Sequence, residues 1–173
     1  MVVFLQNSAS EQGGGLLVLA DELTMVKSQV VGNVAPTSGG IYARVNTLTM
    51  DDCLVSDNIG SRGDFGGLYV EGADVALIRS TTFQRNKANS GGGLSGSSCS
   101  SLSVFNCTLL DNYANAKVGG AVLLITSSFT VADSTFTSNS AVHDGGGVHV
   151  SDMDNMTIRN CQFVNNSAVE GSG

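Results

Sequence analysis

An asparagine preceded three positions earlier by Phe, Val or Leu recurs along the whole chain. The copies are Phe4…Asn7, Val30…Asn33, Val55…Asn58, Phe83…Asn86, Leu109…Asn112, Phe136…Asn139 and Phe163…Asn166, spaced by 26, 25, 28, 26, 27 and 27 residues. Two positions after each Asn comes a small residue: Ala9, Ala35, Gly60, Ala88, Ala114, Ala141 and Ala168. Gly-Gly pairs follow at 13–14, 39–40, 66–67, 91–92, 119–120 and 145–146. A unit this short cannot bury an apolar face alone, so the copies must stack on one another.

Each unit carries two stretches in which apolar residues alternate with polar ones. One follows the glycines; the other precedes the Asn, as in Leu102-Ser-Val104-Phe-Asn-Cys107-Thr-Leu109. Alternation at period 2 specifies strand, and no stripe of period 3.6 is long enough for a helix. The glycine pairs also exclude a repeat built from two helices. One repeat therefore makes one turn of a coil, and the preference for right-handed parallel crossovers sets its hand. The expected fold is an all-β, right-handed parallel β-helix of about six and a half turns of 25–28 residues, forming one domain over 1–173. With parallel strands ~4.8 Å apart, the rod is roughly 30 Å tall.

Stacking assigns the columns. The position three before each Asn (Val30, Val55, Phe83, Leu109, Phe136, Phe163) and the position eight before (Met25, Met50, Ile78, Val104, Val131, Ile158) face inward. Between them lies a column of small residues: Ser28, Cys53, Thr81, Cys107, Ser134 and Cys161. Asn7, Asn33, Asn58, Asn86, Asn112, Asn139 and Asn166 form a ladder of amides bonded from rung to rung, at a turn expected to be left-handed. The third turn is the longest, and there the strand Val75–Thr81 is open to a slip of one residue.

Gly119-Gly120-Ala121-Val122 and Gly145-Gly146-Gly147-Val148, paired with Phe-x-x-Asn at 4–7, 83–86, 136–139 and 163–166, resemble the repeats of the chlamydial polymorphic outer membrane proteins. Similar repeats occur in β-helix proteins of algae and other protists. The resemblance covers essentially the whole chain. It implies a secreted or cell-surface passenger, often adhesive, with no cofactor, and the segment reads as a piece of a longer repeat protein.

Composition narrows the chemistry. A net charge of −7 makes nucleic acid a poor partner, and no apolar run reaches the ~18 residues that would cross a membrane. Cys53, Cys107 and Cys161 recur every second turn, ~10 Å apart along the rod and too far to bridge. Cys99 reads as a surface loop residue, and all four thiols are expected to be free. His143, Asp144 and His149, like Asp152, Asp154 and Asn155, lack a metal-ligand spacing and read as solvated surface.

β-Helices also house polysaccharide lyases, hydrolases and epimerases, whose acids and cations cluster on adjacent rungs of an outward face. Here the outward row after the glycines reads Leu17, Tyr42, Tyr69, Ser95, Leu123 and His149, without an acid, Arg or Lys. A second outward row holds Asp51, Arg79 and Arg159, interrupted by Phe105 and Ala132, while Asp52 and Asp57 lie close by in sequence. The chain accordingly reads as a non-catalytic scaffold or adhesive surface outside the cell. The alternative is part of a carbohydrate-active enzyme whose catalytic turns lie elsewhere. Leu17, Tyr42, Tyr69, Leu123 and His149 form the expected contact strip for a partner, either flanking chain, a protein subunit or a glycan. Asn106, Asn155 and Asn165 head glycosylation sequons, with Asn165 the most accessible.

Overall fold

The structure, a computed structural model, describes residues 1–169, the side chains of 123–126 excepted. Every strand pairing is parallel, and each strand pairs with its counterpart one repeat away. Three sheets run up the rod. Seven three-residue strands, from Val3–Leu5 to Gln162–Val164, carry the residues that precede the asparagines. A narrow sheet of two-residue strands, from Val34–Ala35 to Ser167–Ala168, follows them. The third and broadest sheet contains the long strands Leu16–Val26 and Ile41–Asp51. Above these two rungs it divides, as in Leu68–Glu71 with Val75–Arg79 and Leu94–Cys99 with Leu102–Phe105.

The repeat arithmetic sets the register. Val30 pairs Val55, Val55 pairs Phe83, Phe83 pairs Leu109, and Leu109 pairs Phe136, all wholly buried. Met50, Ile78, Val104 and Val131 make the parallel apolar column across the interior. Ser28, Cys53, Thr81, Cys107 and Ser134 are buried between them. In the third turn Met50 pairs Ile78 and Asp51 pairs Arg79, so Val75–Arg79 does not slip. The extra length of that turn loops outward at residues 61–65, where Gly63 N–H bonds Pro36 O and Phe65 O accepts from Gly39.

Two local expectations are corrected. The ladder asparagines are not the left-handed residues. That conformation belongs to the residue before each: Gln6, Gly32, Asp57, Arg85, Asp111, Ser138 and Asn165, with φ from 50° to 66°. Turning the chain one residue earlier aims the Asn amide inward, where it reaches the next rung. The Gly-Gly pairs also mix two columns. Gly13, Ser38, Gly91, Gly119 and Gly145 take the left-handed bend, whereas Gly39 and Gly66 stand one position later. At that later position the constraint is space: a Cβ on Gly66 would collide with the carbonyl oxygen of Gly92.

Asn33, Asn58, Asn86, Asn112 and Asn139 are fully buried, and each amide is satisfied within the protein. From Asn7 to Asn139, each backbone N–H and each Nδ2 donates to the Oδ1 of the next Asn, ending on Asn166, the side-chain bonds measuring 2.9–3.0 Å. From Asn33 onward, Nδ2 also donates to a carbonyl of the rung before, as Asn86 does to Val55 O at 2.9 Å. A polar side chain inside an apolar tube survives only on such terms.

Candidate functional site

The outward row after the glycines pairs as Leu17–Tyr42–Tyr69–Ser95–Leu123–His149. Tyr42, Tyr69 and Ser95 point away from the interior, since their neighbours Ile41, Ala43, Leu68, Val70 and Leu94 make up the core. They do not, however, form the open strip expected from the sequence. Tyr42 is 6%, Tyr69 9% and Ser95 1% exposed. For Tyr69 the cause is the excursion at 61–65, and Tyr42 is covered in turn by Tyr69. Phe65 stacks on Tyr69 with ring centroids 3.8 Å apart and planes 5° from parallel, and Tyr69 meets Tyr42 edge-on at 5.2 Å. Asp64 ties the excursion down through Lys117 Nζ at 3.0 Å and Ser90 Oγ at 3.4 Å. Leu17 stays exposed and His149 half-buried; the side chain of Leu123 lies outside the described residues.

The next outward row, two residues further on, is where charge gathers. Leu19 pairs Arg44, Arg44 pairs Glu71, and Glu71 pairs Ser97. Tyr42 Oη donates to Glu71 Oε2 at 2.5 Å, and Arg44 donates to the same oxygen from Nε at 3.1 Å and Nη2 at 3.0 Å. The Tyr42 hydroxyl first, and Arg44 with it, holds the Glu71 carboxyl below the ordinary glutamate range. Burial and the bond to Glu71 push the Tyr42 phenol up, so it keeps its proton and goes on donating. Beside this group Asn46 Nδ2 donates to Asp21 Oδ1 at 3.2 Å. Leu19, Asp21, Arg44, Asn46, Glu71 and Gly72 line a shallow recess of about 440 Å³.

The rows read from the sequence pass this site by, because after the glycines they take in only the first outward position, at Tyr42 and Tyr69, and not the next, at Arg44 and Glu71. The legible signal was opposite charge at Arg44 and Glu71, 27 residues apart and so on neighbouring rungs. The acid at Asp57 belongs to a different ion pair. Asp57 accepts from Arg85 Nε and Nη2 at 2.7 and 2.9 Å, and Arg85 holds its carboxyl below the usual range. Among the described residues no group of three or more His, Cys, Asp or Glu side chains is placed to hold a metal ion. Asn106, Asn155 and Asn165 are all exposed, Asn106 and Asn165 on left-handed corners.

No cysteine is bridged to another. Cys99 is not on the surface as its serine-rich surroundings suggested, but 1% exposed. A register irregularity after Ser97, with Ser98 left-handed at φ 53°, swings Cys99 back into the core. Burial raises the Cys107 thiol to about 11 and pushes those of Cys53 and Cys99 up as well.

The family model for the right-handed β-helix region matches residues 2–136 and, one and a half repeats along, 39–173. The chain belongs to that family. Comparison with curated proteins and with solved structures returns no match. Among the described residues no helix is long and apolar enough to cross a membrane.

Proposed function

We propose that this β-helix is an extracellular or cell-surface scaffold that binds a glycan in the recess around Arg44 and Glu71 without cleaving it. The observation that carries this reading is the state of Glu71. A glycosidic general acid needs a carboxyl whose pKa is raised, so that it holds a proton to give. Glu71 is instead held ionised by three donors on one oxygen, an arrangement suited to fixing an arginine in place. The remaining surface suits a sugar: Leu19 offers an apolar face at 65% exposure, with Arg44, Asn46 and Asp21 set around it as directional polar groups. The three exposed sequons, and the resemblance of Phe-x-x-Asn and Gly-Gly-Ala-Val copies to surface passenger repeats, support a location outside the cell.

The test is a glycan array probed with the full chain and with Arg44→Ala, followed by chromatography of each bound glycan after long incubation. The expected result is binding that Arg44→Ala weakens severalfold with only a small drop in melting temperature, and no new products. Cleaved or unsaturated products would favour the enzyme reading. Binding indifferent to Arg44 would move the site elsewhere.

A further inference from the structure

The asparagines of this chain divide in two. Those of the ladder are closed to modification, because two positions on each has Ala or Gly where a glycosylation sequon needs Ser or Thr. Packing alone accounts for those small residues, since Ala35, Ala88, Ala114 and Ala141 are buried. The three sequons fall instead on asparagines outside the ladder, Asn106, Asn155 and Asn165, all exposed. Asn155 and Asn165 stand on the last described rung, with no described rung above to cover them. Asn106 has a rung on either side, at Arg79 and Ala132, and is exposed all the same.

Its corner holds its shape without its side chain. Asn106 joins Leu102–Phe105 to Thr108–Leu110 at φ 52°, and its backbone N–H donates to Ala132 O on the next rung at 3.1 Å. Thr108 N–H donates to Thr81 O on the rung before, also at 3.1 Å. Cys107 turns inward at 2% exposed, and the exposed Asn106 and Thr108 stand on either side of it. Among the described residues Asn106 Nδ2 makes one bond, a long one of 3.4 Å to the exposed Ser80 Oγ. The neighbours in the corner column, Ser80 and Asp133, are short and exposed, so a bulky group on Nδ2 has open solvent in front of it. Building on the extracellular reading, we infer that Asn106 carries an N-linked oligosaccharide. In its attachment Nδ2 attacks the anomeric carbon of an oligosaccharide held on a lipid pyrophosphate. The carbon–nitrogen bond forms, the carbon–oxygen bond to pyrophosphate breaks, Nδ2 gives up one proton and the lipid pyrophosphate leaves. The linked amide keeps its second N–H, enough for the bond to Ser80.

The chain carries its own control. Asn160 occupies the same corner column two rungs on, exposed, at the same φ of 52° and again followed by a cysteine, but its second neighbour is Gln162 where Asn106 has Thr108. The test is peptide mass spectrometry of the protein from its own source cells, fractionated into medium, surface and cytosol. Release of glycans by an N-glycosidase in heavy-oxygen water leaves a heavy Asp at each linked asparagine. The expected result is a mark at Asn106 in most secreted or surface copies and none at Asn160. Thr108→Ala should abolish the mark and Thr108→Ser restore it, both variants keeping the wild-type circular dichroism. Secreted or surface protein without a mark at Asn106 would overturn the inference and leave the extracellular reading standing. An equal mark at Asn160, or one that survives Thr108→Ala, would overturn it by showing spontaneous deamidation. Unmarked protein confined to the cytosol would overturn both.

Discussion

The side-chain amide of Asn86 donates to Oδ1 of Asn112 across 3.0 Å, one rung up and wholly out of contact with water. The oxygen of Asn86 in turn accepts both the backbone N–H and Nδ2 of Asn58, and its amide also reaches Val55 O. One side chain therefore satisfies four buried groups on two other rungs. Asn86→Ala would remove these four bonds and leave the buried Asn58 N–H without an acceptor, while Asn112 Oδ1 keeps the backbone N–H of residue 86 and Asn58 Nδ2 keeps Val30 O, a cost on the order of 3 kcal/mol. Asn7, at an exposed end of the same ladder, satisfies fewer groups, so Asn7→Ala should cost much less. Urea denaturation of the two variants checks this; equal destabilisation would mean that the ladder carries no special weight.

Tyr42 and Tyr69 lie outside the tube yet are buried beneath Phe65 and each other. Tyr42→Ser with Tyr69→Ser is expected to remove roughly 3 kcal/mol or more of stability. In a domain of this size that corresponds to a melting temperature lower by about 6–12 °C. Phe65→Ser should lower it too, since the stacked ring is what shields Tyr69. A double variant that melts with the wild type would show that the strip is open to solvent after all.

The columns of this fold were legible because one period governs them: any residue that faces inward at Phe83 also does so 26 residues later at Leu109. What breaks the period was not legible. The excursion at 61–65 is an insertion, and no rule of alternation says that Phe65 folds back over Tyr69. Cys99 follows a left-handed Ser98 that shifts the register by one, so counting along the strand places it on the wrong side. The Arg44–Glu71 pair follows the period, but it becomes visible only when every outward position is compared between neighbouring rungs.

Because Tyr42 and Arg44 lower the Glu71 pKa, the ionised carboxylate is bound more favourably in the folded chain than in the unfolded one. Its contribution is present above the unfolded value, near 4.5, and is lost as pH falls through the lower folded value. Glu71→Gln should therefore melt below the wild type at neutral pH, and the gap should close progressively below pH 4.5. Melting curves from pH 7 down to 3 read it directly. A gap that does not change with pH would assign the effect of the substitution to packing.

The thiols should divide into two classes. Cys53, Cys99 and Cys107 are buried with raised pKa values, so little reactive thiolate forms at pH 8. Cys161 is only half-buried, on the last described rung. Native labelling with iodoacetamide at pH 8 followed by peptide mass spectrometry is expected to mark Cys161 first, and the other three only in denaturant. Early labelling at Cys99 would return it to the surface position that its serine-rich surroundings suggest.

Rung exchange offers the most demanding test of the register. Deleting Asn86 through Asp111 removes 26 residues and joins Arg85 to Asn112. Arg85 and Asp111 share the left-handed corner, and Asn86 and Asn112 share the ladder, so every column on either side of the cut meets its own kind. Asn58 then faces Asn112 as it formerly faced Asn86, and Phe83 faces Phe136 in place of Leu109. Stability in a coil of this sort is nearly a sum over rungs and their interfaces, so the shortened protein should fold and melt lower. Removing only 86–98, half a turn, brings Cys99 to the corner after Arg85 and turns inward columns toward solvent. That variant should show no cooperative transition by circular dichroism. Two deletions that behave alike would mean the asparagine ladder does not set where one turn ends and the next begins.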